Sequence, residues 1–332
     1  PPPSRPMVTY LIIGVIVLAV VAAAAFRPLM RSLKLKALDQ ATGAEAIARA
    51  DDYLAFEDNS EALVREAIQD NRGPFAAQVH LAKAVGSFPA LISIAERPEL
   101  SVEQRATALL AAASVFSSKR HAQDRIPKEL ATWTQDQDRA LALAAMAVLV
   151  KHGGTNPDPD TPVLLARIAA QPGQDPLRVS AALDGLAEII DESSLGQAIE
   201  LLHSGASAQV LAHAGLTGII RSRSRPSHLG ALVGLLDHRD PEVRALGLET
   251  LGGLTMPDSA DPQMREQLGQ RIAAKLLPAT PAVELAAALK ATAGLRLTGA
   301  REAVLALLPQ RAQLALPGLD EAWWANCLGP AL

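Results

Sequence analysis

The chain has 332 residues, of which 49% are hydrophobic but only 3% aromatic, and its formal net charge is −4. Small aliphatic side chains suit closely packed helices, whereas a large single core usually depends on aromatic volume, so the composition favours an all-α fold. The mild charge argues against a strongly basic nucleic-acid-binding surface, and the single cysteine, Cys327, excludes an intramolecular disulfide.

The first predicted element is an uncharged segment, residues 7–26, with the sequence MVTYLIIGVIVLAVVAAAAF. A helix of about 20 residues spans roughly 30 Å, which is the thickness of the hydrocarbon core of a bilayer. Because the segment has no polar face, it predicts a transmembrane helix that follows a proline-rich tail at residues 1–6. The residues expected to form this anchor are Tyr10, Leu11, Ile12, Ile13, Val15, Ile16, Val17, Leu18 and Phe26.

A cleaved signal peptide is the alternative interpretation, since Ala22 to Ala25 offer small-residue cleavage sites. Only one basic residue, Arg5, precedes the apolar segment, whereas signal peptides begin with a positively charged region. The length of the segment also favours an uncleaved anchor. More basic residues follow the segment than precede it, which predicts a single-pass protein whose large C-terminal part is cytoplasmic. The basic residues of the following juxtamembrane helix or linker, residues 27–42, are Arg27, Arg31, Lys34 and Lys36.

From residue 43 onward, short apolar helical segments alternate with polar breaks that contain Gly, Pro, Asp, Asn or Ser. This pattern predicts N-terminal helical repeats over 43–152 and further repeats with a C-terminal cap over 163–332. The loop-like stretch 153–162, GGTNPDPDTP, is the candidate boundary between them.

Three predicted helices begin alike, with the sequences DPLRVSAALDGL at 175–186, DPEVRALGLETL at 240–251 and TPAVELAAALKA at 280–291. In each, a residue that can accept hydrogen bonds from free amides precedes a proline, which has no amide to satisfy. The three starts, at residues 175, 240 and 280, are 65 and 40 residues apart, and recurrence at such intervals is typical of helical repeat arrays. The predicted helix caps are Asp175, Asp240 and Thr280.

Residues 232–254, LVGLLDHRDPEVRALGLETLGGL, resemble a HEAT repeat of the bacterial type. The resemblance is good over 175–308 and generic over 43–152, where tetratricopeptide-like helix pairs remain an alternative that the sparse aromatic residues disfavour. It implies an α-solenoid of helical hairpins, in which Asp240 caps the second helix and Arg244 ties neighbouring repeats together. Val179 and Glu284 stand at the position of Arg244 in the other two copies. The matching residues are Leu235, Leu236, Asp237, Asp240, Pro241, Val243, Arg244, Ala245, Leu248 and Leu251.

Motifs for catalysis are lacking in the sequence. The seven histidines are scattered, without a His-Glu-x-x-His pair, and there is neither a glycine-rich phosphate loop nor a nucleophile elbow. We therefore expect no enzyme activity, no catalytic residue, no metal and no cofactor.

Two features are candidates for binding a protein partner. The segment RSRSRPS at 221–227 is predicted as an inter-helix segment that either binds an acidic partner or is simply solvated. The adjacent tryptophans near the end of the chain either anchor a partner or cap the last repeat. Together with the HEAT-like arginine, the candidate partner-binding residues are Arg221, Arg223, Arg225, Arg244, Trp323 and Trp324.

These features together predict a membrane-anchored, HEAT-like scaffold or accessory subunit that binds a protein partner, within a membrane complex and without nucleic acid. The arginine, alanine, glycine and proline usage indicates a bacterial source. Two alternatives remain open: an exported periplasmic solenoid for envelope assembly after signal cleavage, and an enzyme or ligand-binding protein that uses the concave groove of the array.

Overall fold

The structure is a computed structural model that describes residues 26–58, 60–121, 123–124, 126–155, 158–255, 262–314, 316–319 and 323–324. The described residues form helices, turns and loops and contain no strand, which confirms the predicted all-α fold for this part of the chain. The chain divides into two compact units, Pro1–Thr155 and Asn156–Leu332. This division falls within the loop-like stretch 153–162.

Unit 1 begins with helix α1, which occupies residues 26–40 of the described chain. The following helices are α2 (Gly43–Phe56), α3 (Glu61–Gln69), α4 (Phe75–Ala84), α5 (Phe88–Ala95), α6 (Val102–Val115), α7 (Ser118–His121), α8 (Glu129–Trp133) and α9 (Arg139–Gly153). One row of helices runs α2, α4, α6, α9, in which each packs on the next, and α3 packs on α5 in a second row. Helices that follow one another along the chain therefore alternate between two layers.

Unit 2 repeats this arrangement. Its helices are α10 (Asp160–Ala170), α11 (Pro176–Ile189), α12 (Leu195–Leu201), α13 (Ser207–Ala212), α14 (Ala214–Arg223), α15 (Leu229–Leu235), α16 (Pro241–Gly252), α17 (Pro262–Ala273), α18 (Ala282–Leu295) and α19 (Arg301–Leu307). The 3-10 turns are Pro226–His228, Thr298–Ala300 and Leu308–Gln313. The first row is α10, α12, α15, the second is α11, α14, α16, α18, and neighbours within each row are in contact.

Alanine and leucine fill the interior of both units. In α18, the buried residues include Ala286, Ala287, Ala288 and Ala291, and α9 buries a similar alanine-rich set. Such helices are apolar on nearly every side because they pack against neighbours within their own row and across to the other. The small side chains let the helices approach closely, which explains how a chain with few aromatic residues fills its cores.

Aspartate caps define where two of the repeated helices begin. The carboxylate of Asp175 accepts a hydrogen bond from the N–H of Leu177 at 3.0 Å, and α11 starts at the next residue. The carboxylate of Asp240 accepts from the N–H of Glu242 at 2.9 Å at the start of α16. In both helices a proline occupies the first turn, where its missing N–H costs nothing.

The third copy differs from the prediction at Thr280. The cap position of α18 is Pro281, which has an extended ψ of 136° and no side-chain cap hydrogen bond, so the helix starts at Ala282. Thr280 belongs to the preceding turn, in which its N–H donates to the carbonyl of Leu277 at 2.9 Å. This turn ends one residue before the proline, and the alignment of the three sequences therefore assigned the cap one residue too early.

Replacing Asp240 with alanine should destabilise α16 by about 1 kcal/mol, since an N-cap that loses its side-chain acceptor leaves a helix amide unsatisfied. Hydrogen exchange of the α16 amides, measured by mass spectrometry on the full chain in mild detergent, reports this loss. Thr280→Ala is the matched control, and its effect on α18 should be within a few tenths of a kcal/mol. Equal effects of the two substitutions would contradict the assigned caps.

The predicted transmembrane helix lies almost entirely outside the described residues. This holds for every expected anchor residue from Tyr10 to Leu18, while Phe26 is the first residue of α1 and is largely exposed. Within the described part of the chain, no helix is both long enough and apolar enough to cross a bilayer.

Candidate functional site

The predicted basic segment is partly helical instead of forming an inter-helix loop. Arg221 and Arg223 lie in the last turn of α14, and Arg225 immediately precedes a 3-10 turn. Cations are favourable at this position, because the C-terminal end of a helix carries partial negative charge. The helix includes Arg221 and Arg223 and ends at Ser224, whose ψ is 143°, so Arg225 lies beyond it.

All three arginines of this segment make contacts within unit 2. The Nε of Arg221 donates to Glu249 at 2.9 Å, which links α14 to α16. Arg223 donates to the carbonyl of Ile190 at 2.9 Å, at the end of α11, and Arg225 donates to the carbonyl of Ser224 at 3.1 Å. The segment thus connects three helices of the second row and does not present a cluster of unpaired guanidinium groups.

Arg244 forms a buried ion pair with Glu284. Its Nε and Nη2 donate to the two carboxylate oxygens at 2.7 and 2.5 Å. The Nη1 of Arg244 donates to the carbonyl oxygens of His238 and Arg239, and the Nζ of Lys275 lies 3.6 Å from the Glu284 carboxylate. The side chains of Arg244 and Glu284 are 16% and 2% exposed. The hydrogen bonds to Glu284 raise the pKa of Arg244 above its ordinary value.

This pair joins α16 to α18 through positions that the sequence aligns with each other. Arg244 of one copy and Glu284 of the next occupy matching places, and the stacking of the two helices brings them into contact. All three guanidinium nitrogens of Arg244 donate hydrogen bonds within unit 2. Arg244 therefore links adjacent helices of one row and has little hydrogen-bonding capacity left for a partner.

The two tryptophans have unequal surroundings. Trp324 is buried and Trp323 is half-buried, and their rings meet edge to face with centroids 5.4 Å apart. Adjacent residues on a helix point in different directions, so one ring is covered while the other retains an exposed part.

A polar cleft of about 460 Å³ lies between two turns of unit 2, one after α12 and one after α15. The imidazole rings of His203 and His238 meet there edge to face, with centroids 6.2 Å apart. The full lining is His203, Ser204, Gly205, Gly234, Asp237, His238 and Arg239.

The hydrogen bonds around the cleft define which groups remain available. The backbone N–H of Asp240 donates to Nδ1 of His238 at 3.1 Å, so in the neutral ring the proton is on Nε2, which can donate. Asp237 pairs with Arg271, and the exposed guanidinium of Arg239 has no hydrogen-bond or ion-pair partner among the described residues. These donors and the positive charge suit an acidic or carbonyl group.

Metal binding is not supported at this cleft. Among the residues that the structure describes, no three or more His, Cys, Asp or Glu side chains are grouped so as to hold a metal ion. The sequence does not predict the cleft, because the two histidines are far apart in the chain. Both lie just after a Leu-Leu pair at the end of a first-row helix, but aligning those pairs sets His203 opposite Asp237 and leaves His238 one position later.

A second candidate surface is α1, which sequence analysis predicted as a juxtamembrane helix or linker. It packs closely on the rest of unit 1. Leu38 is fully buried, and a β-carbon on Gly73 would approach the Leu38 side chain to 2.8 Å. Asp39 accepts hydrogen bonds from Arg72 at 2.6 Å and from the N–H of Gly73 at 2.7 Å.

Ion pairs hold the first half of α1 as well. Arg31 donates to Glu57 at 2.7 Å, and the Glu57 carboxylate is buried. These hydrogen bonds raise the pKa of Arg31. Arg27 pairs with Asp58 at 3.0 Å at the exposed start of the helix. The helix is therefore a docked part of unit 1.

No known protein family matches the sequence, and neither does any curated protein. The resemblance to HEAT repeats therefore depends on the sequence pattern of residues 175–308 alone.

Proposed function

We propose that the protein is a membrane-anchored helical-repeat scaffold, an accessory subunit that holds a protein partner at a membrane surface. The observation that carries the proposal is the docking of α1. This helix follows directly on the uncharged segment 7–26, and the buried Leu38 and Glu57 fix it to the first repeats of unit 1. An anchor attached in this way would position the repeats instead of leaving them on a free tether.

The two-layer packing supports a HEAT-like α-solenoid in each unit. Helices alternate between two rows, and extensive contacts join helices that are close in sequence. A helical hairpin of this kind cannot bury its apolar face alone, whereas stacked hairpins build a continuous core and leave extended surfaces for docking.

The cleft beside His203 supports a partner that contributes an acidic group. Arg239 brings a positive charge that has no partner in the described part of the chain, and the His238 ring brings a donor. An Asp or Glu side chain of the partner would gain charge-assisted hydrogen bonds there, which are stronger than hydrogen bonds between neutral groups.

The basic residues that follow the uncharged segment support a cytoplasmic location for both units. Positively charged flanks are retained on the cytoplasmic side of a membrane. Alkaline carbonate extraction of membranes tests the anchor: the full chain should remain in the membrane pellet. Its release into the supernatant would exclude a membrane-spanning anchor.

Cross-linking and gentle solubilisation of native membranes, followed by affinity purification of the full chain, test partner binding. We expect a partner that is lost when Arg239 is replaced with glutamate, since placing like charges together at an interface costs several kcal/mol. Arg65→Glu is the matched control, because Arg65 is an exposed arginine of α3 and the same charge change there leaves the cleft intact.

Recovery of the partner should fall at least tenfold with Arg239→Glu, which corresponds to about 1.4 kcal/mol, and should be unchanged with Arg65→Glu. A chain that purifies alone after cross-linking would contradict the scaffold. Equal losses with both variants would contradict the assignment of the partner to the cleft.

A further inference from the structure

Helix α1 carries an exposed apolar stripe, formed by Phe26, Leu29 and Leu33. Phe26 and Leu29 are each 60% exposed, and Leu33 is 52% exposed. Phe26 and Leu29 are the most exposed large hydrophobic residues in the described part of the chain. Spacings of three and four residues put all three side chains on one side of a helix with 3.6 residues per turn.

The stripe lies on the side of α1 that faces away from unit 1. Arg31 and Leu38, which make the docking contacts with unit 1, lie close to the opposite side by the same helical periodicity. Unit 1 is therefore unable to cover the stripe while it holds α1. A contiguous exposed apolar surface of this kind usually marks contact with a membrane or another molecule.

The position of the stripe in the chain identifies what covers it. The uncharged segment 7–26 ends at Phe26, where the stripe begins. From Phe26 to Leu33 the helix rises by about 10 Å, so all three side chains lie within about 10 Å, along the helix, of the end of the uncharged segment. Lys36, one turn beyond Leu33, is exposed and suited to anionic headgroups.

We propose that the stripe lies in the headgroup layer of the membrane, so that α1 contacts lipid on one side and unit 1 on the other. The inference rests on the proposed membrane anchor and adds to it a second point of contact. A single spanning helix would leave unit 1 free to tilt relative to the bilayer. Contact of α1 with the lipid surface, combined with its rigid docking, fixes the orientation of unit 1 to the bilayer.

Environment-sensitive fluorescent labels on the full chain test the proposal. Single cysteines are placed at Leu29 or Leu33 in a Cys327→Ser background, labelled, and reconstituted in vesicles of equal parts phosphatidylcholine and phosphatidylglycerol. Leu110→Cys is the matched control, because Leu110 on α6 is also a leucine, with 53% exposure.

Labels at positions 29 and 33 should emit at shorter wavelength than the label at 110, and spin-labelled lipid headgroups should quench them. Soluble iodide should quench the label at 110 at least several-fold more strongly than the other two. Equal quenching by iodide at all three positions would overturn the proposal. Protection of positions 29 and 33 from both quenchers would overturn it too, since a protein would then cover the stripe.

Flotation of the vesicles separates this inference from the anchor itself. If the chain floats with the vesicles but the labels at 29 and 33 are in water, only the lipid contact of α1 is wrong. If the chain does not float, the membrane anchor and the inference both fail.

Discussion

Replacing Gly294 with alanine is expected to destabilise unit 2 by about 2 kcal/mol, although alanine is the better helix former. A β-carbon at this position would overlap the carbonyl oxygen of Gly252 and lie 3.1 Å from its carbonyl carbon. The obstacle is backbone, which has no rotamer to change, so α16 and α18 must move apart. From the other side, a β-carbon on Gly252 would approach Cα of Ala291 to 2.8 Å.

The matched control is Gly218→Ala in α14, another helical glycine of unit 2. Apart from the neighbouring residues and the backbone of its own helix, a β-carbon there meets no atom of the described chain within 4 Å. Alanine should therefore stabilise α14 by up to about 1 kcal/mol, because glycine is entropically costly within a helix. Hydrogen exchange of α16 and α18 in the full chain distinguishes the two outcomes. Equal exchange in both variants would mean that the close crossing of α16 and α18 does not limit the stability of unit 2.

The all-α fold and many helix ends follow from local signals in the sequence. The breaks rich in glycine, proline and aspartate separate helices in both units, and Asp175 and Asp240 cap theirs through contacts with residues two positions away. Thr280 shows the limit of this reasoning, because the same two-residue pattern is displaced when the preceding turn leaves the proline in an extended conformation.

The contacts between helices could not be predicted in this way. Arg244 meets Glu284, 40 residues along the chain, and Arg31 meets Glu57, 26 residues along. Each pairing depends on the distance and rotation between two stacked helices, which no local pattern encodes. The same applies to the cleft beside His203, whose walls come from successive hairpins.

These contacts also explain why two of the predicted partner-binding arginines have a structural role within unit 2. The sequence marks Arg221 and Arg244 as unusual charges, but it cannot distinguish a charge offered to a partner from one used within the fold. In the structure, Arg221 pairs with Glu249 and Arg244 pairs with Glu284. Arg239 is an exposed arginine without a partner among the described residues, but the sequence alone does not distinguish it from other exposed arginines.

Replacing Arg244 with alanine is expected to cost about 3 kcal/mol, because it leaves the carboxylate of Glu284 buried without its main partner. Lys275, 3.6 Å from that carboxylate, cannot replace the two direct hydrogen bonds that Arg244 donates. The amides of α18 should exchange about a hundredfold faster in the full chain, since each 1.4 kcal/mol corresponds to a factor of ten.

Arg221→Ala is the control, since its pair with Glu249 joins two partly exposed side chains of the same unit and should contribute at most about 1 kcal/mol. The double variant Arg244→Met with Glu284→Leu should recover most of the lost stability, because it removes both buried charges and keeps apolar volume between α16 and α18. If the double variant is as unstable as Arg244→Ala, the loss comes from packing around the arginine stem and not from an uncompensated charge. If Arg221→Ala and Arg244→Ala cost the same, burial does not distinguish the two pairs, and the Arg244–Glu284 pair is not what holds α18 against α16.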